Sequence, residues 1–446
     1  MNSIPISENV IESLKEATGV TSPGSASIRE IVQLVNRIEK TTGIQFVRME
    51  MGVPGLPAPS IGTDAEIEAL KNGVASLYPE IAGLGILKKE VSRFIKLFLD
   101  IDINPAGCIP TVGSMMGSMI CFLVANRNDR TKAGSLFIDP GFPVQKQQVK
   151  MLGHDYFSFD VYNYRGKKLK AKLESYLRTG KVSSLIFSNP NNPTWICLNE
   201  EELSIIGELC HKYDVIVIED LAYFGMDFRK DYCNPGKPPF QPSVAHYAED
   251  YILLISSSKI FSYAGQRIGV MAISDHLFNR SYPDLKRYYS TDKFGHSAIF
   301  GALYGISAGV THSVQYGLAA LLKAVNEGEY RYREDIIEYG EKARIMKKLF
   351  TENGFEITYD RDLDEPIADG FYFTISYPGM TAAYLLNLLL RYGISAITLD
   401  TTGSERNDAL RACVSQVPRS LFNDLEYRLK QFNNDHPVNS DSNGLH

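Results

Sequence analysis

The chain has 446 residues, of which 44% are hydrophobic and 22% are charged, and its formal net charge is -6. This composition is ordinary for a folded protein with room for two domains, and it excludes a chain that is disordered throughout. The charge argues against nucleic acid or an anionic membrane as a partner. The six cysteines and eight histidines show no metal-ligand spacing, and no apolar stretch has the length of a membrane span, so we expect a cytoplasmic protein without a bound metal.

The first 50 residues predict helices, with apolar residues at helical spacing over 27–35. We interpret residues 1–50 as an N-terminal arm and part of a smaller domain. Residues 51–310 then alternate short apolar runs with helix-like stretches, which predicts a large α/β domain around a mostly parallel sheet. The runs that predict its strands are 135–139, 184–188, 215–219, 252–255 and 269–273.

A long helical pattern over 310–353 and a mixture of strands and helices up to residue 433 follow. These patterns predict a small C-terminal α/β domain over 311–433, with a strand at 370–375 and a helix at 380–390. Residues 434–446 are polar and have no periodicity, so we expect a disordered tail.

Polar and cationic side chains follow the fourth predicted strand. Ser256, Ser258 and Lys259 come directly after the run 251–255, and Arg267 lies eight residues beyond the lysine. An amine there can form a Schiff base with an aldehyde cofactor, while hydroxyls and a guanidinium can bind a phosphate. Pyridoxal phosphate (PLP) uses all three groups, although the segment alone fits a strand end followed by a polar loop equally well.

Two further motifs follow neighbouring strands. Residues 188–194 read Ser-Asn-Pro-Asn-Asn-Pro-Thr, in which two prolines fix a turn that presents the amide of Asn192. Asp220 directly follows the third run, and Tyr223 follows three residues later. Neither motif is specific alone, because Asn-Pro turns are common in loops and a carboxylate at a strand end is more often a helix cap.

The three motifs together, in this order and at these spacings, resemble the class I/II aminotransferases of the aspartate aminotransferase superfamily. The resemblance covers most of the chain. It implies the fold type I architecture of PLP-dependent transferases, with a mostly parallel seven-stranded sheet between helices and a smaller α/β domain. It also implies that PLP is the cofactor and that an amino group moves from an amino acid to a 2-oxo acid through a Schiff base on Lys259.

The resemblance assigns roles around the cofactor ring. Asp220 would keep the pyridine nitrogen protonated, so that the ring can accept electrons. Asn192 and Tyr223 would donate hydrogen bonds to the phenolate oxygen. Phe142, in the segment Pro-Gly-Phe-Pro, would stack on the ring, although a phenylalanine in a turn more often belongs to the core. Lys259 would also shuttle the proton, which requires a pKa below the reference value of about 10.4.

The phosphate is expected at a turn that precedes a helical stretch, where backbone N–H groups face an anion. The residues that the resemblance assigns to the phosphate are Gly113, Ser114, Met115, Ser256, Ser258 and Arg267. Tyr78 resembles the tyrosine that reaches the phosphate of a neighbouring subunit, which implies a homodimer.

The substrate is expected to contact Gly52, Asn192 and Arg411. Arg411 lies in a Leu-Arg segment near the C-terminus, and a planar guanidinium matches a carboxylate. Gly52 belongs to a Gly-Val-Pro loop and would contribute its backbone.

One departure from the family pattern and three activities stay open. Trp195, the only tryptophan, stands where the family usually has glycine, and its ring could reshape the pocket. A PLP-dependent lyase or decarboxylase would use the same residues as an aminotransferase. A non-catalytic ligand-sensing descendant is a third possibility, although no basic helix-turn-helix segment occurs and Lys259 is present. The sequence also leaves the reacting amino acid and oxo acid open.

Overall fold

The computed structural model describes residues 4–132 and 134–438, which divide into two compact units. The large unit comprises Leu56–Asn192 and Ile196–Ile337. Within the described residues, the small unit comprises the chain up to Gly55, the turn Pro193–Trp195 and the chain from Glu338 onward. In this part of the chain, no helix is both long enough and apolar enough to cross a bilayer.

Helices and short strands succeed one another along the chain. In chain order the helices are α1 (Glu8–Thr18), α2 (Ile28–Thr42), α3 (Ser60–Lys71), α4 (Gly85–Leu99), α5 (Gly113–Ala125), α6 (Pro143–Met151), α7 (Lys168–Leu177), α8 (Glu200–Lys212), α9 (Ser257–Ile260), α10 (Asp275–Asn279), α11 (Phe294–His296), α12 (Tyr304–Ser307), α13 (His312–Asn326), α14 (Tyr332–Thr351), α15 (Ala382–Arg391) and α16 (Phe422–Asp435). The strands are β1 (Val47–Arg48), β2 (Cys108–Thr111), β3 (Gly134–Asp139), β4 (Asp155–Asp160), β5 (Val182–Ser188), β6 (Ile216–Leu221), β7 (Tyr251–Ser256), β8 (Gly269–Ile273), β9 (Glu356–Ile357), β10 (Arg361–Asp362), β11 (Glu365–Pro366), β12 (Tyr372–Ser376), β13 (Ile394–Ser395), β14 (Ile397–Thr398) and β15 (Leu410–Cys413).

The large unit is built on a seven-stranded sheet in the order β2-β8-β7-β6-β5-β3-β4. Neighbouring strands are parallel except for β8, which runs antiparallel to both β2 and β7. The inner strands are buried along nearly their whole length, as continuous apolar runs require when helices cover both faces of a sheet. The predicted α/β fold with a mostly parallel seven-stranded sheet is confirmed.

Local signals explain where helices of the large unit begin. At the start of α8, the Asn199 side chain accepts a hydrogen bond from the Glu202 backbone N–H at 2.9 Å, and the Glu202 carboxylate accepts one from the Asn199 N–H at 3.1 Å. This capping box satisfies two backbone donors that a helix start leaves open. At α6 the first residue is Pro143, whose missing N–H costs nothing in a first turn.

The small unit contains a four-stranded antiparallel sheet in the order β14-β15-β12-β9, and β1 pairs with β13. Its core is rich in aromatic side chains: the Phe350 ring lies 5.0 Å from Phe355 and 5.8 Å from Phe373. The predicted strand at 370–375 corresponds to β12 and the predicted helix at 380–390 to α15.

The helical pattern over 310–353 corresponds to more than one element. The structure has two helices there, α13 and α14, because the chain turns at Gly328, whose φ of 74° lies in the left-handed region that glycine tolerates. The predicted disordered tail also begins too early, since α16 continues to Asp435. The remainder of the tail from residue 439 lies outside the described residues.

Candidate active site

The candidate site of the large unit lies at one edge of its sheet. The carboxyl ends of β3, β5, β6 and β7 are neighbours there, and Ser188 of β5 pairs with Asp220 of β6. Because β8 runs the other way, its first residue, Gly269, pairs with Ser256 at the end of β7 and with Thr111 at the end of β2. Ligands of open α/β sheets bind at such an edge, where loops and helix starts converge.

Asp220 is a buried carboxylate held by two neutral donors. The Gln145 Nε2 donates to its Oδ2 at 2.8 Å, and the Ala222 backbone N–H donates to its Oδ1 at 3.1 Å. Burial raises the pKa of Asp220 to about 6, and these hydrogen bonds oppose the rise. A carboxylate in this environment is stabilised by a cation placed beside it, as a protonated ring nitrogen would be.

The Asn-Pro turn after β5 is fixed by hydrogen bonds to its neighbours. The Asn191 side chain donates to the Pro140 carbonyl oxygen at 2.8 Å, which ties this turn to the segment that follows β3. The Asn192 backbone N–H donates to Ser188 Oγ at 3.3 Å, and the Asn192 side chain is buried. Tyr223, two residues beyond β6, is buried as well.

Lys259 lies on α9, a single helical turn directly after β7, and its side chain is half-buried. Serines hold this turn in place. Ser256 Oγ accepts a hydrogen bond from the Ser258 N–H at 3.2 Å, and Ser257 Oγ donates to the Ile268 carbonyl oxygen at 2.5 Å. The second bond joins α9 to the segment that enters β8, so the two ends of this connection are fixed to each other.

Gly113 and Arg267 meet at the start of α5. Gly113 is the first residue of this helix and has a φ of 64°. A Cβ added to it would lie 2.5 Å from Nη2 of Arg267, so only glycine admits the guanidinium at this position. Arg267 is exposed and also donates from Nη1 to the Ala264 carbonyl oxygen at 3.0 Å. A helix start beside a guanidinium is an arrangement that binds phosphate.

Ser114 and Met115 complete the first turn of that helix, and both are half-buried. The Met115 carbonyl oxygen accepts a hydrogen bond from Gln148 Nε2 at 2.7 Å, which ties the turn to α6. Phe142 directly precedes α6 and is half-buried. The segment that carries Phe142 therefore also fixes the backbone of the expected phosphate turn.

Gly52 and Arg411 belong to the small unit. Arg411 lies in β15, is buried, and donates from Nη2 to the Glu50 carbonyl oxygen at 2.7 Å. Its guanidinium carbon lies 4.7 Å from the centre of the Tyr372 ring. A Cβ on Gly52 would lie 2.0 Å from the Tyr372 hydroxyl oxygen. Both predicted substrate-binding residues of this unit therefore contact Tyr372, which the sequence analysis did not single out.

Trp195 and Tyr78 have opposite environments. Trp195 groups with the small unit, has a relative exposure of 0% and adopts a φ of 66°. Tyr78 lies on the surface of the large unit and is 95% exposed.

The sequence profile described as aminotransferase class I and II matches residues 54–387. The chain belongs to this family. Two curated relatives are a probable aspartate aminotransferase of Methanocaldococcus jannaschii, 22% identical over 73% of this chain and 85% of the relative, and an LL-diaminopimelate aminotransferase of Natranaerobius thermophilus, 24% identical over 72% and 76%. The solved alanine aminotransferase of Pyrococcus furiosus superposes with a TM-score of 0.73, at 19% identity, over 94% of this chain and 99% of that structure.

The aminotransferase is a PLP-dependent enzyme, since PLP is the cofactor of its family. The residues at the sheet edge fit this cofactor: a buried acid suits the ring nitrogen, a lysine suits the aldehyde, and a helix start beside Arg267 suits the phosphate. The family and its relatives support amino-group transfer, and no finding favours the lyase or decarboxylase alternative. No cluster of His, Cys, Asp and Glu with the arrangement of a metal site occurs in residues 4–132 and 134–438.

Two residues of the aminotransferase contact predicted site residues and were not expected from the sequence. Gln145 donates to Asp220 and lies three residues after Phe142, one helical turn along α6. That spacing was the only available signal, because the hydrogen bond joins positions 75 residues apart. Tyr372 contacts Arg411, on the strand paired with its own, and also Gly52, and no sequence motif indicates either contact.

Proposed function

We propose that this aminotransferase holds PLP at the sheet edge of the large unit, with Asp220 at the ring nitrogen. The observation that carries the proposal is the buried Asp220 carboxylate, which Gln145 and the Ala222 N–H hold in place on a strand next to the one that leads to Lys259. When bound, the cofactor supplies a ring that accepts the electrons of a bond broken at the amino acid Cα. Asp220 keeps the nitrogen of that ring protonated.

Other side chains of the same edge orient the ring. Asn192 and Tyr223, both buried, donate to the ring oxygen, and Phe142 stacks on the ring face. The phosphate lies at the start of α5. The groups that bind the phosphate are Gly113, Ser114, Met115, Ser256, Ser258 and Arg267. Because this anchor involves rigid helix starts and strand ends, it fixes the ring relative to Lys259.

Lys259 has two tasks in this proposal. Its Nζ holds the cofactor between turnovers, and the released amine then takes the proton from the substrate Cα. The serine hydrogen bonds that hold α9 and join it to Ile268 support this role, because a proton acceptor must be held within reach of the proton it removes.

The substrates are an amino acid and a 2-oxo acid. Arg411 binds the α-carboxylate, and Gly52 and Asn192 contribute further contacts to the same substrate. The relatives are named for aspartate, LL-diaminopimelate and alanine, three amino acids with different side chains, so we propose the substrate class and no single substrate.

The enzyme acts as a cytoplasmic homodimer in which Tyr78 reaches the phosphate of the other subunit. Large hydrophobic side chains on the surface of the large unit support a dimer, because such surfaces are usually covered by a partner. These side chains include Leu77 and Ile86, which are close to Tyr78 in sequence, and Phe300, Tyr304 and Ile306, which lie in or shortly before α12. The six cysteines carry free thiols, which fits a reducing compartment.

Chemical trapping tests the role of Lys259. Borohydride reduction of the PLP-loaded enzyme should fix the cofactor to the peptide that contains Lys259, as read by mass spectrometry. Lys259→Ala should lose both the label and the turnover. Formation of a new amino acid should require an added 2-oxo acid, whereas a lyase would release product without one. A label on a different lysine, or no label at all, would overturn the proposal.

Subunit mixing tests the shared site. In a mixed dimer of Tyr78→Ala and Lys259→Ala, both defects fall in the same site, and the other site stays intact, only if Tyr78 acts across the interface. Mixed dimers of the two variants should then regain activity that neither variant has alone. A protein that sediments as a monomer, or mixed dimers without recovered activity, would contradict the role of Tyr78 while leaving the trapping result intact.

A further inference from the structure

Trp195 occupies a backbone conformation that large side chains avoid. Its φ of 66° is left-handed, a region that costs a residue with a Cβ free energy unless its surroundings enforce it. The surroundings here are tight: the indole is fully buried, and a Cβ added to Gly370 would lie 1.9 Å from its Cε2 atom. The ring therefore lies directly on the backbone of the segment that enters β12.

Tyr372 connects Trp195 to the predicted substrate-binding residues of the small unit. The Trp195 and Tyr372 ring centres are 6.2 Å apart with planes inclined at 66°, an edge-to-face contact. Tyr372 also contacts Gly52, at its hydroxyl, and the guanidinium of Arg411, at its ring. A single side chain thus touches the tryptophan, the glycine loop and the arginine.

Arg411 is held by a ring and a carbonyl oxygen. The guanidinium over the Tyr372 ring gains a cation–π attraction, and its Nη2 donates to the Glu50 carbonyl oxygen. Glu50 is buried and fixed in turn, because its carboxylate accepts from Ser395 Oγ at 2.6 Å and from Arg48 Nε at 2.8 Å. Packing against a ring restricts the orientation of a guanidinium, and that orientation decides where its two-pronged bond to a carboxylate can form.

We propose that Trp195 and Tyr372 are positioning residues for Arg411, and that this aromatic pair sets the affinity of the enzyme for the substrate α-carboxylate. The inference rests on the proposed function in one respect, the binding of that carboxylate by Arg411. The physical reason is preorganisation: an arginine already held in its binding plane loses less freedom when a carboxylate arrives. The packing of Trp195 on Tyr372 keeps the tyrosine ring from turning away from the guanidinium.

Carboxylate binding to the PLP-loaded enzyme tests the pair. The probe is propionate, which has a carboxylate and no amine to transfer, and its dissociation constant is measured by calorimetry. Tyr372→Leu should weaken propionate binding about tenfold through loss of the ring, and Tyr372→Phe, which keeps the ring, should restore most of it. The KM for the amino acid should rise in parallel, while kcat changes much less.

Variants at Trp195 extend the test. Trp195→Gly removes the backbone strain and the ring together. Trp195→Phe, which keeps a smaller ring, is the variant to use if the glycine variant does not fold. Each should bind propionate less tightly than the wild type. Phe373→Leu is the matched control, since Phe373 is a buried neighbour on β12 that packs on Phe350 instead. It should lower the melting temperature and leave propionate affinity unchanged.

The outcomes separate this inference from the proposed function. Wild-type affinity in Tyr372→Leu, or an equal loss in Phe373→Leu, would overturn the positioning role while transamination by the wild type stands. Unchanged propionate affinity in Arg411→Lys would show that Arg411 does not bind the carboxylate, and it would overturn this inference as well. The trapping result at Lys259 would again be unaffected.

Discussion

In the large unit, the buried charge of the candidate site is Asp220, and both of its oxygens accept hydrogen bonds from neutral donors at a strand end. In the small unit, the buried charge is Arg411, and its described contacts are an aromatic ring and a carbonyl oxygen. The first group is oriented mainly by directional hydrogen bonds and sheet register. The second depends on side-chain packing around Tyr372. We therefore expect the large unit to respond to changes in charge and backbone, and the small unit to changes in shape.

The largest effect is expected at Asp220. Asp220→Ala removes the acid proposed for the ring nitrogen, so kcat/KM should fall about 1000-fold, as for other groups that stabilise charge in a reaction. The unfolding midpoint of the apoprotein should change little, because the wild-type carboxylate is itself destabilised by burial. Steady-state kinetics with urea unfolding checks both. A modest kinetic loss accompanied by a large loss of stability would make Asp220 a structural residue.

Gly113 provides the next largest effect. Gly113→Ala places a Cβ 2.5 Å from Arg267 Nη2 at a left-handed φ, so the affinity for PLP should fall about 100-fold as the phosphate contacts separate. Gly153→Ala is the matched control, because Gly153 has a similar φ of 73° with nothing within 4 Å. Equilibrium titration with PLP should distinguish the two, and equal losses would show that backbone strain alone is responsible.

The pH dependence of the unfolding free energy tests the expected sensitivity of the large unit to charge. Burial raises the pKa of Asp220 to about 6, above roughly 3.9 in an unfolded chain. Between these values the folded apoprotein retains a proton that the unfolded chain has lost, so the contribution of Asp220 to the unfolding free energy falls as pH rises from about 4 to 6. From pH 4 to pH 7, Asp220→Asn should therefore gain about 2 kcal/mol relative to the wild type in urea unfolding. Identical pH profiles would contradict this.

The smallest effect is expected in the small unit. Gly52→Ala directs a Cβ at the Tyr372 hydroxyl, which lies 2.0 Å from that position, and should raise the KM for the amino acid about fivefold by displacing the ring. Adding Tyr372→Phe removes the atom that collides and should recover most of the loss. A double variant no better than Gly52→Ala would show that the glycine loop affects the substrate independently of Tyr372.

The same contrast explains what the sequence could predict. Lys259, Asp220 and Asn192 lie at or just after the ends of apolar runs that form β7, β6 and β5, and parallel strands bring their carboxyl ends to one edge. These residues and the sheet could be predicted because local sequence patterns determine both. Whether each plays its assigned role stays a prediction that the experiments above address.

Contacts between side chains that are distant in sequence could not be predicted in this way. Gln145 and Tyr372 act on residues that lie far away in sequence, so only the folded chain reveals them. The environment of Trp195 was equally hidden: the sequence marked it as a departure from glycine, and the structure places its ring on Gly370. The break between α13 and α14 contains Gly328, with its left-handed φ, and helical periodicity does not detect such a turn.

The reversed direction of β8 has a dynamic consequence. Because Gly269 pairs with Ser256, the residues between them form one closed loop that carries both Lys259 and Arg267. Hydrogen exchange should therefore show this loop opening as one cooperative segment, so that the backbone amides of Lys259 and Arg267 exchange at the same rate. Cofactor loss would then be an all-or-none local unfolding event rather than a stepwise release.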